Sequence, residues 1–311
     1  MSDLLTQLPA PTSPTREPLQ ASFSDACNPI GLDGLEFIEY VTSKPQALGQ
    51  VLEMMGFRPV ARHRSREVLL YRQGALNIVV NAHPTDVQGI RHGADSPVIS
   101  AVALRVRDAQ AAYRYVLERG AWEVPTHAGV MELNIPAIHG AGGSRIHFVD
   151  RYQHFSIYDV DFVPIPTVDQ HPASTAGIHF FGIVQYIGPE RSHDWIEFYS
   201  ELFGTRLIPD EQRFGIMPKG KLLRAPALDS AQHFMLQLIE PEPNVLDGSE
   251  RLQRIGLGVP DVVAAVQALR ARGVEFVETD AVHTERRGAI SKTYLGSVVF
   301  ELVHSAPPAG E

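Results

Sequence analysis

Residues Val98–Asp108 read VISAVALRVRD, and they run directly into the pattern that decides the fold. Their β-branched and apolar residues predict a half-buried β-strand. The residues that follow place apolar side chains at i, i+3, i+4 and i+7, which predicts an amphipathic helix. This stripe is Ala109, Ala112, Tyr113 and Val116. Asp108 is the expected N-cap and Gly120 the expected end, so the stretch predicts a strand that leads straight into a helix.

The same strand-then-helix pattern occurs at three other places in the chain. The other stripes are Leu48, Val51, Leu52 and Met55; Trp195, Phe198, Tyr199 and Leu202; and Val262, Ala265, Val266 and Leu269. Their predicted strands are Leu35–Val41, Ile178–Tyr186 and Leu252–Val259, their predicted N-caps are Ser43, Ser192 and Asp261, and their closing glycines are Gly56, Gly204 and Gly273. A pattern that recurs in this way indicates an internal repeat.

Further β-rich segments follow the helices. They are Val68–Arg72 and Leu76–Asn81 after the first helix, Lys221–Ala225 and Phe234–Glu240 after the third, and Val274–Glu278, Ile290–Leu295 and Val298–Val303 after the fourth. The repeating unit is therefore a strand, a helix and three strands. Because one such unit cannot bury both faces of its sheet, we expect two units to form a curved sheet with helices outside and a cleft inside.

We therefore predict an α+β fold with two tandem domains, each made of paired βαβββ units. This arrangement resembles the vicinal-oxygen-chelate, or glyoxalase-like, fold. The predicted boundaries are a disordered tail at 1–28, an N-terminal domain at 29–163, a linker at 164–175 and a C-terminal domain at 176–306 with the candidate metal and substrate pocket. The tail and the linker are rich in proline and turn-forming residues.

The composition indicates which binding partners and which cellular location to expect. The net charge of −9 argues against a nucleic-acid partner. The chain of 311 residues has no apolar run of the length that a membrane-spanning helix needs, and no signal-peptide pattern at its start. Its single cysteine, Cys27, excludes an intramolecular disulfide, so we expect a reducing, cytoplasmic location. A homo-oligomer is an open alternative, because soluble proteins commonly assemble in this way.

Several stretches of the N-terminal half match one known family. They are Gly34–Glu39, Met55–Phe57, Ala61–Ser65, Leu70–Gly74, Glu132–Ile138, Phe148–Tyr152 and Ser156–Val163. On these residues the half resembles the 4-hydroxyphenylpyruvate dioxygenase family. The resemblance implies that the N-terminal domain is a scaffold without a metal. Its pocket-facing positions are expected to hold Glu36, Ala101 and Phe148, which cannot chelate a metal.

The same resemblance implies that the C-terminal half carries the chemistry. In the family, two histidines and one carboxylate hold Fe(II) and leave positions open for a 2-oxo acid and O₂. His179 and Glu301 match the first and last ligand positions, and Arg254 stands where the second histidine is expected. A guanidinium is a permanent cation without a lone pair to offer, so Arg254 cannot ligate iron.

Two further residues complete the candidate site. Gln253 keeps the family's glutamine before the second histidine and is expected to orient substrate, so Gln253 and Arg254 are the candidate catalytic residues. His233 opens a predicted strand and is a candidate replacement ligand. The candidate metal site is therefore His179, Glu301 and His233.

Three functions are compatible with the sequence. The first is Fe(II)-dependent oxygenation of an aromatic or related 2-oxo acid, which by resemblance belongs to aromatic amino acid catabolism and tyrosine degradation. The second is a metal-free, catalytically degenerate family member, in which Arg254 pairs with Glu301 or binds the carboxylate of a small ligand. The third is a metal-independent lyase or isomerase that uses His179 as a base.

Overall fold

The computed structural model describes residues 28–82, 96–125, 133–153, 155–210, 220–228, 233–242, 248–277 and 288–306. Cys27 and the rest of the predicted tail up to residue 27 lie outside these ranges. Asn28, the last residue of that tail, is buried, and its side chain exchanges two hydrogen bonds of 2.7 and 2.9 Å with the backbone of Leu32. The ordered fold therefore includes Asn28.

The first half forms a mixed sheet of eight strands within the described residues. Its elements are β1 (Leu32–Val41), α1 (Pro45–Met54), β2 (Arg58–His63), β3 (Val68–Gln73), β4 (Leu76–Asn81), β5 (Val98–Val106), α2 (Ala109–Leu117), β6 (Ala137–His139), β7 (Arg145–Val149), α3 (Ile157–Asp161) and β8 (Phe162–Pro164). The strand order is β6-β7-β5-β1-β4-β3-β2-β8. The two repeat units join where β1 and β5 pair antiparallel.

The second half repeats this plan in a sheet of seven described strands. Its elements are β9 (His179–Tyr186), α4 (Ser192–Phe203), β10 (Arg206–Leu207), β11 (Lys221–Arg224), β12 (Met235–Ile239), β13 (Arg251–Val259), α5 (Val262–Ala271), β14 (Ala289–Ile290) and β15 (Phe300–His304). The order is β10-β11-β12-β9-β13-β15-β14, and β9 and β13 pair antiparallel at the centre. The predicted fold class, two α+β domains of the glyoxalase-like type, is confirmed.

The second and fourth units are shorter than predicted. Each has two described strands after its helix, and the third is reduced to an isolated bridge, Glu123 with Ile138 and Phe276 with Ser291. The prediction of full strands was therefore wrong for residues 274–277 and for Ile290–Leu295, and Glu278 lies outside the described residues. Pro164 also belongs to β8, where it pairs with Ala61, although the predicted linker begins at this residue.

The helix ends follow the predicted signals in most places. The carboxylates of Asp108 and Asp261 accept hydrogen bonds from the first turns of α2 and α5, at 2.8 and 3.0 Å. Ser43 and Ser192 were wrong as N-caps, because α1 and α4 begin after Lys44 and Arg191. Pro45 starts α1, where its missing N–H leaves no donor unsatisfied. None of the described helices is long and apolar enough to cross a membrane.

The two halves share one hydrophobic core. Phe148 of β7 is fully buried, and its ring lies 6.3 Å from the ring of Phe203 at the end of α4. The guanidinium of Arg272 donates hydrogen bonds to the carbonyls of Met54 and Glu53 at the end of α1, at 3.0 and 2.6 Å. These contacts fix one half against the other.

We expect Phe148→Ala to destabilise the protein by about 3–5 kcal/mol, because the substitution leaves a cavity where the halves pack. Urea unfolding measures this loss. Phe155→Ala is the matched control, since Phe155 is 57% exposed, and it should change stability by less than about 0.5 kcal/mol. Equal losses in the two variants would contradict a shared core.

Candidate functional site

The two faces of the second sheet hold different kinds of side chain. Side chains alternate between faces along a strand, and paired residues on neighbouring strands share a face. In β13, Ile255 and Leu257 belong to the core under the helices, together with Phe300 of β15. Arg254 and Gly256 therefore belong to the opposite, concave face.

The strand register shows which residues share the concave face. Arg254 pairs with Val184 of β9, and Gly256 pairs with Gly182 of β9 and with Glu301 of β15. The concave positions beside Arg254 and Glu301 on β9 are thus Gly182 and Val184. Neither residue has a side-chain donor atom.

Arg254 and Glu301 form a buried ion pair on this face. Arg254 Nε lies 2.9 Å from Glu301 Oε2, and the two side chains are 2% and 6% exposed. Arg254 Nη1 donates a hydrogen bond of 3.3 Å to Gln253 Oε1. Arg254 Nη2 is buried and has no hydrogen-bond partner among the described residues. The Nη2 group of Arg254 therefore has no acceptor in this part of the chain.

His179 is the first residue of β9 and lies on the same concave face as this pair. It is opposite Gly258, beyond an irregularity in the pairing of β9 with β13. Its imidazole occupies the space that a side chain at residue 258 would need. His179 Nδ1 donates a hydrogen bond to the carbonyl of Gly177 at 3.0 Å, and Nε2 lies 3.2 Å from Ser305 Oγ.

His233 lies two residues before the start of β12. Its Nδ1 donates a hydrogen bond to the carbonyl of Ala225 at 3.0 Å. Both histidines line a cavity of about 340 Å³ between the two halves of the chain. Among the described residues that line this cavity, neither Arg254 nor Glu301 is found.

Comparisons with known proteins give the family. The model described as "Hydroxyphenylpyruvate dioxygenase, HPPD, N-terminal" matches residues 26–163, and the Glyoxalase/Bleomycin resistance protein/Dioxygenase superfamily model matches residues 188–291. A 4-hydroxyphenylpyruvate dioxygenase of Pseudomonas aeruginosa is 35% identical over 277 residues, which is 83% of this chain and 75% of that protein. This chain belongs to the 4-hydroxyphenylpyruvate dioxygenase family.

Two other comparisons are consistent with this family. One is a sequence match over part of the chain, and the other is a similarity of fold. A 4-hydroxyphenylpyruvate dioxygenase of Pseudomonas sp. is 42% identical over 183 residues, and the chain spans about half of it, 51%. A solved structure of a mutant 4-hydroxymandelate synthase from Streptomyces coelicolor matches 90% of this chain and 95% of its own, with a TM-score of 0.69. Its 15% identity supports the fold alone.

The residues of this family member do not fit an Fe(II) site of the expected kind. Such a site needs two histidines and a carboxylate on one face of the metal. The concave face offers one carboxylate among its described residues, Glu301, which is already paired with Arg254. The described residues contain no group of three His, Cys, Asp or Glu that could hold a metal, and the ligand set of His179, Glu301 and His233 stays a prediction.

Side-chain alternation along β9, taken from Gln185, gives the residues on the concave face. Gln185 Oε1 accepts a hydrogen bond from the hydroxyl of Tyr199 in α4, so Gln185 faces the helices. Alternation then places residues 184 and 182 on the concave face. Beyond the irregularity near Phe181, His179 pairs with Gly258 and so also lies on the concave face.

In the N-terminal half, one expected pocket position is wrong by one residue. Ala103 pairs with His147 in the register of β5 with β7, and Phe148 lies on the other face, in the shared core. The expected pocket position of Phe148 is therefore wrong, and His147 takes it. Glu36 does face a cavity, where Arg105 Nε lies 2.6 Å from its Oε2.

We expect the Arg254–Glu301 pair to show strong coupling in a double-mutant cycle. Glu301→Gln alone should cost about 3–5 kcal/mol, because it leaves a buried guanidinium uncompensated. Arg254→Met alone should cost a similar amount. The double variant should lose clearly less than the sum in urea unfolding. Additive losses would show that the two side chains do not compensate each other.

We expect His147 to make stability depend on pH. Burial, and then the nearby Arg145 charge, lowers the pKa of His147 to about 4 from 6.5. The folded state therefore favours the neutral ring. The stability that this preference contributes is fully present above pH 6.5 and is lost as the pH falls towards 4. The loss reaches up to about 3 kcal/mol.

Thermal unfolding between about pH 4.5 and 7 tests this dependence. His147→Gln should flatten the pH profile of the melting temperature. His193→Gln, at a side chain that is 87% exposed, is the control and should leave the profile unchanged. A profile that His147→Gln does not alter would contradict the assignment.

Proposed function

We propose that this chain is a metal-free, ligand-binding member of the 4-hydroxyphenylpyruvate dioxygenase family. The proposal rests on one observation: a buried guanidinium, Arg254, stands in the position of a metal ligand and is paired with the carboxylate, Glu301. A cation at this position repels a metal cation and also removes the negative charge that would attract it.

The unsatisfied Nη2 donor of Arg254 indicates which kind of ligand atom the site would accept. Arg254 Nη2 is buried without a partner in the described part of the chain, and an unsatisfied buried donor is costly. A ligand oxygen placed there would satisfy it. Glu301 already compensates the charge of Arg254, so a ligand carboxylate would leave a net negative charge in a buried place. A neutral carbonyl oxygen is therefore the better acceptor, and a small carboxylate is the weaker alternative.

The family itself supports a second candidate function. Relatives named 4-hydroxyphenylpyruvate dioxygenase are 42% and 35% identical to the chain over the matched residues, and by resemblance Glu301 matches the carboxylate ligand. On this alternative the chain oxygenates an aromatic 2-oxo acid with Fe(II) and O₂, as a cytoplasmic enzyme of tyrosine degradation. It would require His179 or His233 to reach Glu301, and Arg254 to leave it.

Metal analysis of protein made in iron-replete medium separates the two candidates. We expect the wild-type protein to contain Fe(II) far below one equivalent. Arg254→His should raise the bound Fe(II), because it replaces a cation with a neutral ligand. Arg254→Gln is the matched control, which removes the charge without adding a ligand, and it should bind less Fe(II) than Arg254→His. Stoichiometric Fe(II) in the wild-type protein would overturn the metal-free proposal.

Ligand binding tests the role assigned to Arg254. We expect methyl pyruvate, a neutral carbonyl compound, to bind more tightly than pyruvate in titration calorimetry. Arg254→Gln should weaken methyl pyruvate binding by about tenfold or more, since it removes a hydrogen bond from a charged donor. Binding that is the same in Arg254→Gln and in the exposed control Arg58→Gln would contradict this role.

A further inference from the structure

The face of the first sheet that is turned away from α1 and α2 holds a cavity of its own. It has a volume of about 250 Å³ and is lined by residues of the N-terminal half. It shares no lining residue with the cavity that contains His179. Small-molecule sites usually have roughly 300–1,000 Å³, so this cavity suits a ligand at or below the lower end of that range.

The strand register brings two opposite charges to this face. Glu39 of β1 pairs with Ala101 of β5, and Ala101 pairs in turn with Arg145 of β7. Paired residues on neighbouring strands share a face, so Glu39 and Arg145 lie in one row, and both line the cavity. Strands lie about 4.8 Å apart, which puts about 10 Å between the backbones of these two residues.

Neither of these charges is neutralised within the described part of the chain. Glu39 Oε1 accepts a hydrogen bond of 2.9 Å from Asn81 Nδ2, and no described cation forms an ion pair with Glu39. Arg145 forms no side-chain hydrogen bond and no ion pair with another described residue. Ala101 cannot bridge them, because its side chain is a methyl group. Both residues are half-buried, and an unpaired charge in such a place favours an opposite charge.

The other ionisable groups of the wall leave this charge pattern intact. Burial, and then the Arg145 charge, lowers the pKa of His147 to about 4, so its ring is neutral near pH 7. Arg66 and Asp161 carry opposite charges, and both are engaged in contacts with other groups. The cavity therefore presents one negative and one positive group, Glu39 and Arg145, that have no counter-charge among the described residues.

The rest of the wall is largely apolar. The ring of Phe37 lies 6.0 Å from the ring of His147, and it belongs to a buried apolar cluster that extends across this face. Other apolar residues on the wall are Val68, Val79, Leu133, Ile135, Ile157 and Phe162. Such a surface suits a ligand that carries an apolar group as well as its two charges.

We propose that the cavity of the N-terminal half binds a small zwitterion with an apolar side chain, of the class of the aliphatic amino acids. The ammonium group of the ligand pairs with Glu39, its carboxylate pairs with Arg145, and its side chain packs on the wall around Phe37. A ligand with both charges neutralises both protein groups, which a simple anion or cation does not. The site is independent of the function proposed for Arg254, because the two share no residue.

Titration calorimetry of the full chain with L-leucine and two single-charge analogues tests the site. Isocaproate lacks the ammonium group of leucine, and isoamylamine lacks its carboxylate. We expect L-leucine to bind, and each analogue to bind about tenfold or more weakly, because each leaves one protein charge without a partner. An analogue that binds as tightly as L-leucine would overturn the proposal, and so would no binding of L-leucine up to about 10 mM.

Two variants test which protein charge meets which group of the ligand. Glu39→Gln keeps an acceptor for Asn81, and it should weaken L-leucine about tenfold or more while bringing its affinity close to that of isocaproate. Arg145→Gln should weaken L-leucine by a similar factor and bring its affinity close to that of isoamylamine. A loss of overall structure would weaken all three ligands alike. Affinity ratios that stay at their wild-type values in both variants would overturn the assignment.

Matched controls remove the same charges from exposed positions outside the cavity. Glu118→Gln and Arg58→Gln serve this purpose, and both should leave L-leucine binding unchanged. Arg254→Gln, checked for folding by circular dichroism, should also leave it unchanged, which separates this site from the function proposed above. Equal weakening by the control variants and the cavity variants would overturn the proposal.

Discussion

Alternation of side chains across the antiparallel pair of β9 and β13 is the constraint on which the C-terminal site depends. The register of Arg254 with Val184 and of Gly256 with Gly182 determines which residues share the concave face. A shift by one residue would move every side chain to the other face. The local irregularity near Phe181 inserts one residue into β9, so His179 comes to lie opposite Gly258 on this same face, further along the strands than Arg254.

The buried guanidinium of Arg254 is the second constraint. A charge with 2% exposure requires a partner, and Glu301 supplies it across β13 and β15. Glu301 therefore neutralises a side chain, and Arg254 Nη2 stays buried without an acceptor in the described part of the chain.

Duplication of the domain places a further cavity between the copies. The halves pack through a common core, in which Phe148 contacts Phe203, and their strand ends leave space where Arg105 and Arg224 come from different halves. Neither half alone encloses this space. The two histidines that look like metal ligands in the sequence belong to this cavity, where backbone carbonyls orient them.

The sequence by itself determined the repeat, the fold class and the family, because periodicity, caps at Asp108 and Asp261, and closing glycines are local signals. By resemblance it also matched Arg254 to the position where the family has its second histidine. Only the tertiary structure decided which side chains meet, because the register between strands determines which residues share a face. The sequence left a metal and Arg254 as alternative partners of Glu301, and the structure pairs Glu301 with Arg254. It also places Phe148 in the shared core and His179 opposite Gly258.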